Sequence, residues 1–240
     1  MSAIDRVSPT KRPEGPNAGT QNWRDLLFVH WTFDPEVVRK LVPDVLELDL
    51  WEGRAYVGLV PFAMEDVRPS FIPRAFAMDF LETNLRTYVV RDGEPGVWFF
   101  SLEAASRLAV KAARMMWGLP YFHAEMELER EGDRVRYSSK RTSDGAGIQV
   151  EWEIGEMLGA STPGTLEFFL LERYLLFAMK NGALRKGQVH HVPYPAQRAK
   201  VHRLEQSLLT AAGLPARTDA PETVHYAKGV DVEVFGPFTT

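Results

Sequence analysis

The sequence predicts an α+β protein that consists mostly of antiparallel β-structure. Segments with strand character outnumber helical ones, and most neighbouring strands are separated only by a tight turn. Two of these turns contain Asp92-Gly93 and Asn181-Gly182, the residue pairs that two-residue β-hairpins favour. No break in composition and no internal repeat divides the 240 residues. We therefore predict a single domain over residues 21–240, preceded by a disordered N-terminal arm over residues 1–20.

The composition excludes several classes of protein and site. The formal net charge of −4 is unlike the basic surface that nucleic-acid binding requires. Cysteine is absent, which excludes disulfides, thiolate zinc sites, iron–sulfur clusters and cysteine nucleophiles. No apolar run reaches the roughly 18 residues of a spanning helix, and residues 1–20 lack the apolar stretch of a secretory signal. We expect a cytoplasmic protein without nucleic-acid or membrane partners.

The first elements follow from apolar runs and proline positions. Residues 24–31 form an apolar run with aromatic and β-branched members, which is typical of a strand. Asp34 suits an N-cap and Pro35 a first helical position, so a short helix is predicted over residues 35–41, ending before Pro43. Further strands are predicted over residues 46–50, 55–64, 83–90 and 96–102.

A change to helical spacing follows the fourth of these strands. Apolar residues recur at intervals of three or four, at Leu102, Ala105, Ala109, Ala112 and Met116. They predict a helix over residues 103–117, ended by Gly118. A second face carries Glu103, Arg107, Lys111 and Arg114. We interpret it as a solvated face with a Glu–Arg pair; the alternative is that one basic side chain points into a cavity.

The second half of the chain continues the β-pattern. A meander, a hairpin and a closing strand pair are predicted from alternation and turn residues. These strands cover residues 122–128, 134–141, 149–154, 174–180, 183–192 and 197–204, with the strand pair over residues 223–235. Short helices are predicted over residues 165–173 and 207–212.

Motifs for common catalytic and cofactor sites are missing from the sequence. It contains no phosphate-binding GxxxxGK[ST] or GxGxxG, no HExxH and no GxSxG. His190 and His191 are adjacent, but neighbouring residues on a regular strand face opposite ways and cannot share one metal. We therefore predict one buried and one exposed histidine, and no metal or cofactor.

Polar side chains interrupt two of the apolar strands. Glu82, Asn84 and Arg86 alternate with apolar or small residues, so the two-residue period places all three on one face. On an open sheet this is simply the solvated face. In a closed barrel the same stripe would line the interior, where charges need partners. Arg24 likewise precedes a strand that should be buried.

Seven segments distributed over the chain resemble one protein family. They are WRDLLFVHW (23–31), LVPDVLELDLWEGRAYVGLVPF (41–62), TNLRTYV (83–89), PGVWFFSLEA (95–104), LPY (119–121), PGTLEFFLLERY (163–174) and VHHVPYPAQ (189–197). Together they resemble the YqjF-like, or DUF2071, family of uncharacterised bacterial proteins, from about residue 22 to 237. The resemblance to that family does not imply a particular activity.

A more distant resemblance is to the acetoacetate decarboxylase superfamily. It rests on FDPEVVRKLVPDVLELD (33–49), which is similar to the early helix-and-strand segment of that enzyme. The resemblance implies a cone-shaped, mostly antiparallel β-barrel with a flanking sheet and a few short helices around an enclosed cavity. It also implies a cavity arginine at Arg24 and a cavity carboxylate near Glu82.

The residues that carry decarboxylase chemistry differ in this chain. The decarboxylase motif places Arg-Glu a few residues before Pro-Lys-Lys, and its first lysine forms a Schiff base. Arg114 and Pro120 match that motif, but Tyr121 and Phe122 replace the two lysines. A phenol cannot form an imine, and Lys111 lies almost three helical turns earlier, so we predict no Schiff-base decarboxylase activity.

Three functions remain open from the sequence. The first is an enzyme acting on a small carboxylate or carbonyl compound, with Tyr121 and Glu82 as catalytic residues. In it the substrate would be bound by Arg24, Arg114, Asn84 and Arg86. The second is a non-catalytic small-molecule binding protein, and the third a structural barrel filled by its own side chains. No interface pattern is visible, and a homodimer remains open.

Overall fold

The computed structural model describes residues 4–239, which form twelve strands and four α-helices. The strands are β1 (Gly19–Phe33), β2 (Glu47–Leu48), β3 (Ala55–Pro69), β4 (Met78–Arg91), β5 (Glu94–Ala104), β6 (Tyr121–Glu131), β7 (Arg134–Arg141), β8 (Gly147–Gly159), β9 (Leu175–Lys180), β10 (Ala183–His190), β11 (Ala196–Gln206) and β12 (Thr223–Thr239). The helices are α1 (Pro35–Arg39), α2 (Arg107–Trp117), α3 (Leu166–Leu171) and α4 (Leu208–Ala211). None of these helices has the length and apolarity that crossing a bilayer requires.

All twelve strands belong to one hydrogen-bonded sheet that closes on itself. Its order is β10-β9-β5-β6-β7-β8-β11-β12-β1-β3-β4-β2, with further pairings β10–β12 and β5–β4. The extra pairings close a ring through β12, β1, β3, β4, β5, β9 and β10, while β6, β7, β8 and β11 form a flanking sheet from β5 to β12. Within the described residues every pairing is antiparallel except β5–β6 and β5–β9, so the mostly antiparallel prediction is confirmed.

Two apolar clusters lie on opposite faces of the ring. Leu26 and Phe28 of β1 point into the ring, whereas Leu27, Val29 and Trp31 point outward. The outer cluster fills the space between the ring, the flanking sheet and the helices α1 and α4. A strand buried on both faces needs a continuous apolar run, which explains why β1 shows little alternation.

The two hairpin turns are formed as the sequence predicted. Asp92 and Gly93 both have positive φ (52° and 83°), and Arg91 pairs with Glu94 across the turn. Asn181-Gly182 has the same conformation between β9 and β10.

Helix α2 begins four residues later than its apolar spacing predicted. Glu103 and Ala104 continue β5 opposite Thr83 and Glu82 of β4, and the Ser106 side chain caps the helix by accepting from the Ala109 amide. Glu103 is therefore not on a solvated helix face. It is fully buried, and the Arg141 guanidinium donates to its Oε1 at 2.7 and 2.9 Å.

The strand pair predicted at the C-terminal end is a single strand. β12 runs without a turn over 17 residues and pairs with β1, β10 and β11. Gly229 takes a φ of 151° beside Trp23 and Arg24, where a Cβ would clash with the Trp23 carbonyl oxygen. The glycine therefore permits a close approach of β12 to β1, and the strand continues without reversing.

The predicted N-terminal arm is partly described. Residues 1–3 lie outside the described residues, and Gly19 and Thr20 already belong to β1. Between them, Arg12 and Asn17 contact the Glu233 carboxylate, and the Gln188 amide donates to the Pro9 carbonyl at 3.0 Å. The disorder of residues 1–20 in solution and the domain boundary at residue 21 remain predictions.

Candidate functional site

A cavity of about 160 Å³ lies inside the ring. All seven ring strands contribute to its wall, together with α2 and the start of β6. The wall is mainly apolar, and its aromatic members are Trp23, Phe28, Phe62, Phe99, Trp117, Tyr121, Tyr174 and Tyr194. The volume is close to the ~150 Å³ of an engineered cavity that accommodates benzene. The ring is therefore not packed solid by its own side chains, and the space suits a small organic molecule.

The polar stripe of β4 faces this cavity. Glu82, Asn84 and Arg86 all line it, because the two-residue period keeps alternate side chains on one face of the strand. The intervening Leu85 belongs to the outer cluster. The stripe therefore lines the interior of the ring and is not a solvated face of an open sheet.

Glu82 and Tyr121 form a buried pair at one side of the cavity. The Tyr121 hydroxyl donates to Glu82 Oε2 at 2.8 Å. Burial raises the pKa of Glu82 to about 8; the Tyr121 hydrogen bond and Asn84 act in the opposite direction, and the Glu103 charge adds to the increase. Burial, with the adjacent Glu82 carboxylate, also raises the pKa of Tyr121 well above its usual value. At neutral pH both groups are mainly protonated, so each carries a proton that it can donate in a hydrogen bond.

The end of α2 positions Tyr121 on this wall. Gly118 ends the helix with a φ of 73°, and a Cβ there would lie 2.8 Å from the Met179 carbonyl oxygen of β9. The chain then enters β6, where Tyr121 pairs with Leu102 of β5. Arg114 Nε donates to the Tyr121 carbonyl oxygen at 2.6 Å.

Arg114 therefore holds the backbone of Tyr121 and does not line the cavity. Its exposed guanidinium lies 5.7 Å from the Phe122 ring centroid. The sequence-based expectation that Arg114 binds a substrate in the cavity does not fit this position, because α2 turns that side chain toward solvent.

Arg24 also lies outside the cavity. Asp25, with a φ of 49°, lies at a register shift in the pairing of β1 with β3 and interrupts the alternation of β1. Trp23 before this irregularity and Leu26 after it both line the wall, whereas Arg24 does not. The Arg24 guanidinium instead donates to the Val230 carbonyl at 2.9 Å and pairs with Asp231 at 2.5 Å. The cavity arginine implied by the distant resemblance is thus absent at this position.

Arg86 is the cationic side chain of the cavity that lacks an anionic partner. It is 7% exposed, and Nη2 donates to the Leu170 carbonyl at 3.2 Å. Nε has no hydrogen-bond partner, and no carboxylate lies within ion-pair distance among residues 4–239. Arg173 also lines the cavity, but its Nη1 pairs with Asp49 at 2.8 Å. A buried charge without an anionic partner is costly, which makes Arg86 a candidate anion-binding residue.

Several wall residues escaped the sequence analysis. Tyr174 and Tyr194 pack with His191, at centroid distances of 4.5 and 4.6 Å. His191 is buried and His190 half-buried, and burial lowers the pKa of His191 to about 4. Tyr174 and Tyr194 lie in irregular segments beside β9 and β10, where no periodicity indicates which side chains point inward.

No lysine occurs among the wall residues that the structure describes. Lys111 lies on the exposed side of α2, in a separate groove with Arg107, Arg114 and His123. The described part of the chain also contains no group of three His, Asp or Glu residues close enough to hold a metal ion. The wall therefore offers carboxyl, amide, phenol and guanidinium groups for chemistry, and no amine.

The sequence matches one family over most of its length. Residues 20–231 match the family model DUF2071, described as an uncharacterized conserved protein. The chain is 38% identical over 222 residues to the uncharacterized protein YqjF of Bacillus subtilis (strain 168), which covers 92% of this chain and 91% of that protein.

The fold is similar to that of several solved structures. The enduracididine biosynthesis enzyme MppR, complexed with pyruvate, has a TM-score of 0.66 at 11% identity and covers 95% of this chain and 93% of its own. Acetoacetate decarboxylase from Legionella pneumophila has a TM-score of 0.64 at 16% identity and covers 100% of this chain and 95% of its own. An acetoacetate decarboxylase-like enzyme from Sphingomonas wittichii RW1 has a TM-score of 0.64 at 14% identity and covers 94% of this chain and 94% of its own. At these identities the likeness concerns the fold alone, and it confirms the predicted fold class.

Proposed function

Because this chain belongs to the DUF2071 family and folds like acetoacetate decarboxylase, we propose that its cavity binds a small monocarboxylate with an apolar body. Two features of the wall support this ligand class. The buried Arg86 supplies a cation without an anionic partner among the described residues, and aromatic and aliphatic side chains supply most of the remaining surface. Ligand pockets of this kind combine apolar walls with a few polar groups that fix orientation.

The unpaired Arg86 is the observation that carries the proposal. A guanidinium binds a carboxylate through two parallel N–H donors, and Arg86 Nε is free to be one of them. A carboxylate also supplies the negative charge that the described residues do not provide. Pyruvate, which MppR binds in its structure, is a compound of this class and a first one to test.

A second candidate is an enzyme that acts on a bound carbonyl compound. The raised pKa of Glu82 and its hydrogen bond to Tyr121 favour it, because acid–base catalysts work best near neutral pKa. In this candidate Glu82 exchanges a proton with the carbon beside the carbonyl, and Tyr121 donates to the carbonyl oxygen. The wall carries no lysine, so the candidate does not include a Schiff base.

Calorimetric titration tests the binding. The ligands are pyruvate, phenylpyruvate, 3-phenylpropionate and octanoate, titrated into the wild type, Arg86→Met and Arg24→Met. We expect at least one acid to bind the wild type and to bind Arg86→Met at least ~10-fold more weakly, as the loss of a charged hydrogen bond implies. Arg24→Met is the matched control and should bind normally, because Arg24 lies outside the cavity. Equal affinity in wild type and Arg86→Met would contradict the proposal.

Proton exchange distinguishes the enzyme from the binder. An enzyme exchanges the C3 hydrogens of a bound 2-oxo acid with deuterated solvent, which NMR detects, and Glu82→Gln abolishes the exchange. A protein that binds the acid without any exchange above the solvent rate is the non-catalytic binder.

A further inference from the structure

Asn84 presents a buried hydrogen-bond acceptor to the cavity. The residue is 7% exposed and lines the wall, and its Oδ1 has no donor among the described residues. The Asn84 carboxamide also acts on the neighbouring Glu82, whose pKa it lowers. An acceptor left unsatisfied in the interior is costly, so its presence in this wall points to a donor on the ligand.

The other unsatisfied polar atoms of the wall are donors. They are Arg86 Nε and Arg173 Nη2. Both guanidinium groups reach the end of α3, where Arg86 Nη2 donates to the Leu170 carbonyl and Arg173 Nε to the Phe169 carbonyl. They also lie 5.9 and 4.9 Å from the same Tyr88 ring centroid. The free donors of the wall are thus gathered at one end of the cavity, where the carboxylate of the proposed ligand belongs.

Strand geometry places Asn84 between this end and the Glu82–Tyr121 pair. Residues two apart on a strand are about 6.6 Å apart and project from the same face, so Arg86, Asn84 and Glu82 form a row along β4. A ligand whose carboxylate is held by Arg86 therefore passes Asn84 before its remaining atoms reach Glu82.

We propose that Asn84 selects monocarboxylates carrying a hydroxyl or N–H donor between the carboxylate and the apolar body. This inference rests on the proposed carboxylate site and defines its ligand class more closely. The ligands are hydroxy acids, or acids that carry an amide N–H in place of the hydroxyl. An acid without the donor leaves the acceptor buried and unpaired, which a site penalises more strongly than the loss of an apolar contact.

Matched pairs of acids test the inference by titration calorimetry. We would compare 3-phenylpropionate with its 2-hydroxy and 3-hydroxy derivatives, and octanoate with 3-hydroxyoctanoate. The proteins are the wild type, Asn84→Leu, Asn84→Ala and Arg86→Met. Leucine has the same number and branching of side-chain heavy atoms as asparagine and no polar atom, and alanine serves as a smaller second variant if leucine disturbs folding.

We expect at least one hydroxylated acid to bind the wild type ~10-fold or more tightly than its parent. In Asn84→Leu or Asn84→Ala this ratio should fall to about one, because the parent acid no longer leaves an acceptor unpaired and the hydroxylated acid no longer finds one. If parent and hydroxylated acids bind the wild type equally and both depend on Arg86, the donor inference is overturned and the carboxylate site stands. If the ratio survives both Asn84 substitutions, Asn84 is not the acceptor. If none of the acids binds, the proposed function fails together with this inference.

Discussion

Replacing Glu82 with glutamine should change how the stability of the protein depends on pH. Glu82 is buried and its pKa is raised from 4.5 to about 8. Glutamine has the same shape and still offers an oxygen to the Tyr121 hydroxyl, but it does not titrate. A comparison of wild type and Glu82→Gln therefore isolates the contribution of this one carboxyl group.

The sign and size of the effect follow from the two pKa values. Below pH 4.5 the carboxyl is protonated in both folded and unfolded chains, and the pH dependence vanishes. Between pH 4.5 and about 8 the folded protein keeps a proton that the unfolded chain releases, so rising pH destabilises the fold. A pKa difference of about 3.5 at 1.36 kcal/mol per pKa unit corresponds to ~5 kcal/mol. Relative to the wild type, Glu82→Gln should gain ~5 kcal/mol of unfolding free energy from pH 4.5 to 8.

Urea unfolding followed by tryptophan fluorescence measures the difference at pH 5, 6, 7 and 8, since the chain has six tryptophans. Other groups titrate equally in both proteins and cancel. Tyr121→Phe adds a second comparison: it removes a hydrogen bond that lowers the pKa of Glu82, so the destabilisation should extend to higher pH. Parallel stability curves for wild type and Glu82→Gln between pH 5 and 8 would refute the reasoning, because the carboxyl would then be solvated in the folded protein.

Three further predictions concern other buried groups. Arg141→Met leaves the Glu103 carboxylate buried without its partner, and it should cost ~3–5 kcal/mol of unfolding free energy at pH 7 by urea titration; an unchanged midpoint would contradict the pair's burial. The pKa of His191 is lowered to about 4, so protonation of the unfolded chain should remove ~2 kcal/mol of stability between pH 6.5 and 5, and His191→Phe should show no such loss. Gly96→Ala would place a Cβ 2.7 Å from the Phe177 ring and 2.9 Å from the Leu175 carbonyl oxygen, and it should lower the melting temperature by several degrees in calorimetry; an unchanged melting temperature would contradict this close packing.

Local patterns predicted most of the strands and their turns. The Asp-Gly and Asn-Gly pairs fixed two hairpins because their positive φ angles are a local requirement. Helix α2 was predicted too long because Leu102 and Ala105 fit a helical spacing by chance, whereas pairing with β4 keeps Glu103 and Ala104 extended. The closing segment was predicted as a strand pair, whereas β12 runs through Gly229 without a turn.

The candidate site was predictable only in part. A two-residue period is enough to place Glu82, Asn84 and Arg86 on one face. Whether that face is solvated or enclosed depends on ring closure, and no local pattern contains that information. Arg24 was misplaced because β1 is irregular at Asp25, whose φ of 49° lies at a register shift, and the sequence does not show such a break in the alternation. Arg173 lies between α3 and β9, where the chain has no period at all.

The pairing of β1 with β12 has a consequence for how the protein folds. Trp23 pairs with Val230 and His30 with Thr223, so contacts across about 200 residues of sequence close the ring. A ribosome therefore releases β1 long before its partner exists, and the ring forms only after β12 has been synthesised. Folds dominated by such distant contacts fold slowly, and their unpaired strand edges stay exposed until the partner strands pair. Closure of the cavity is thus a late step of folding.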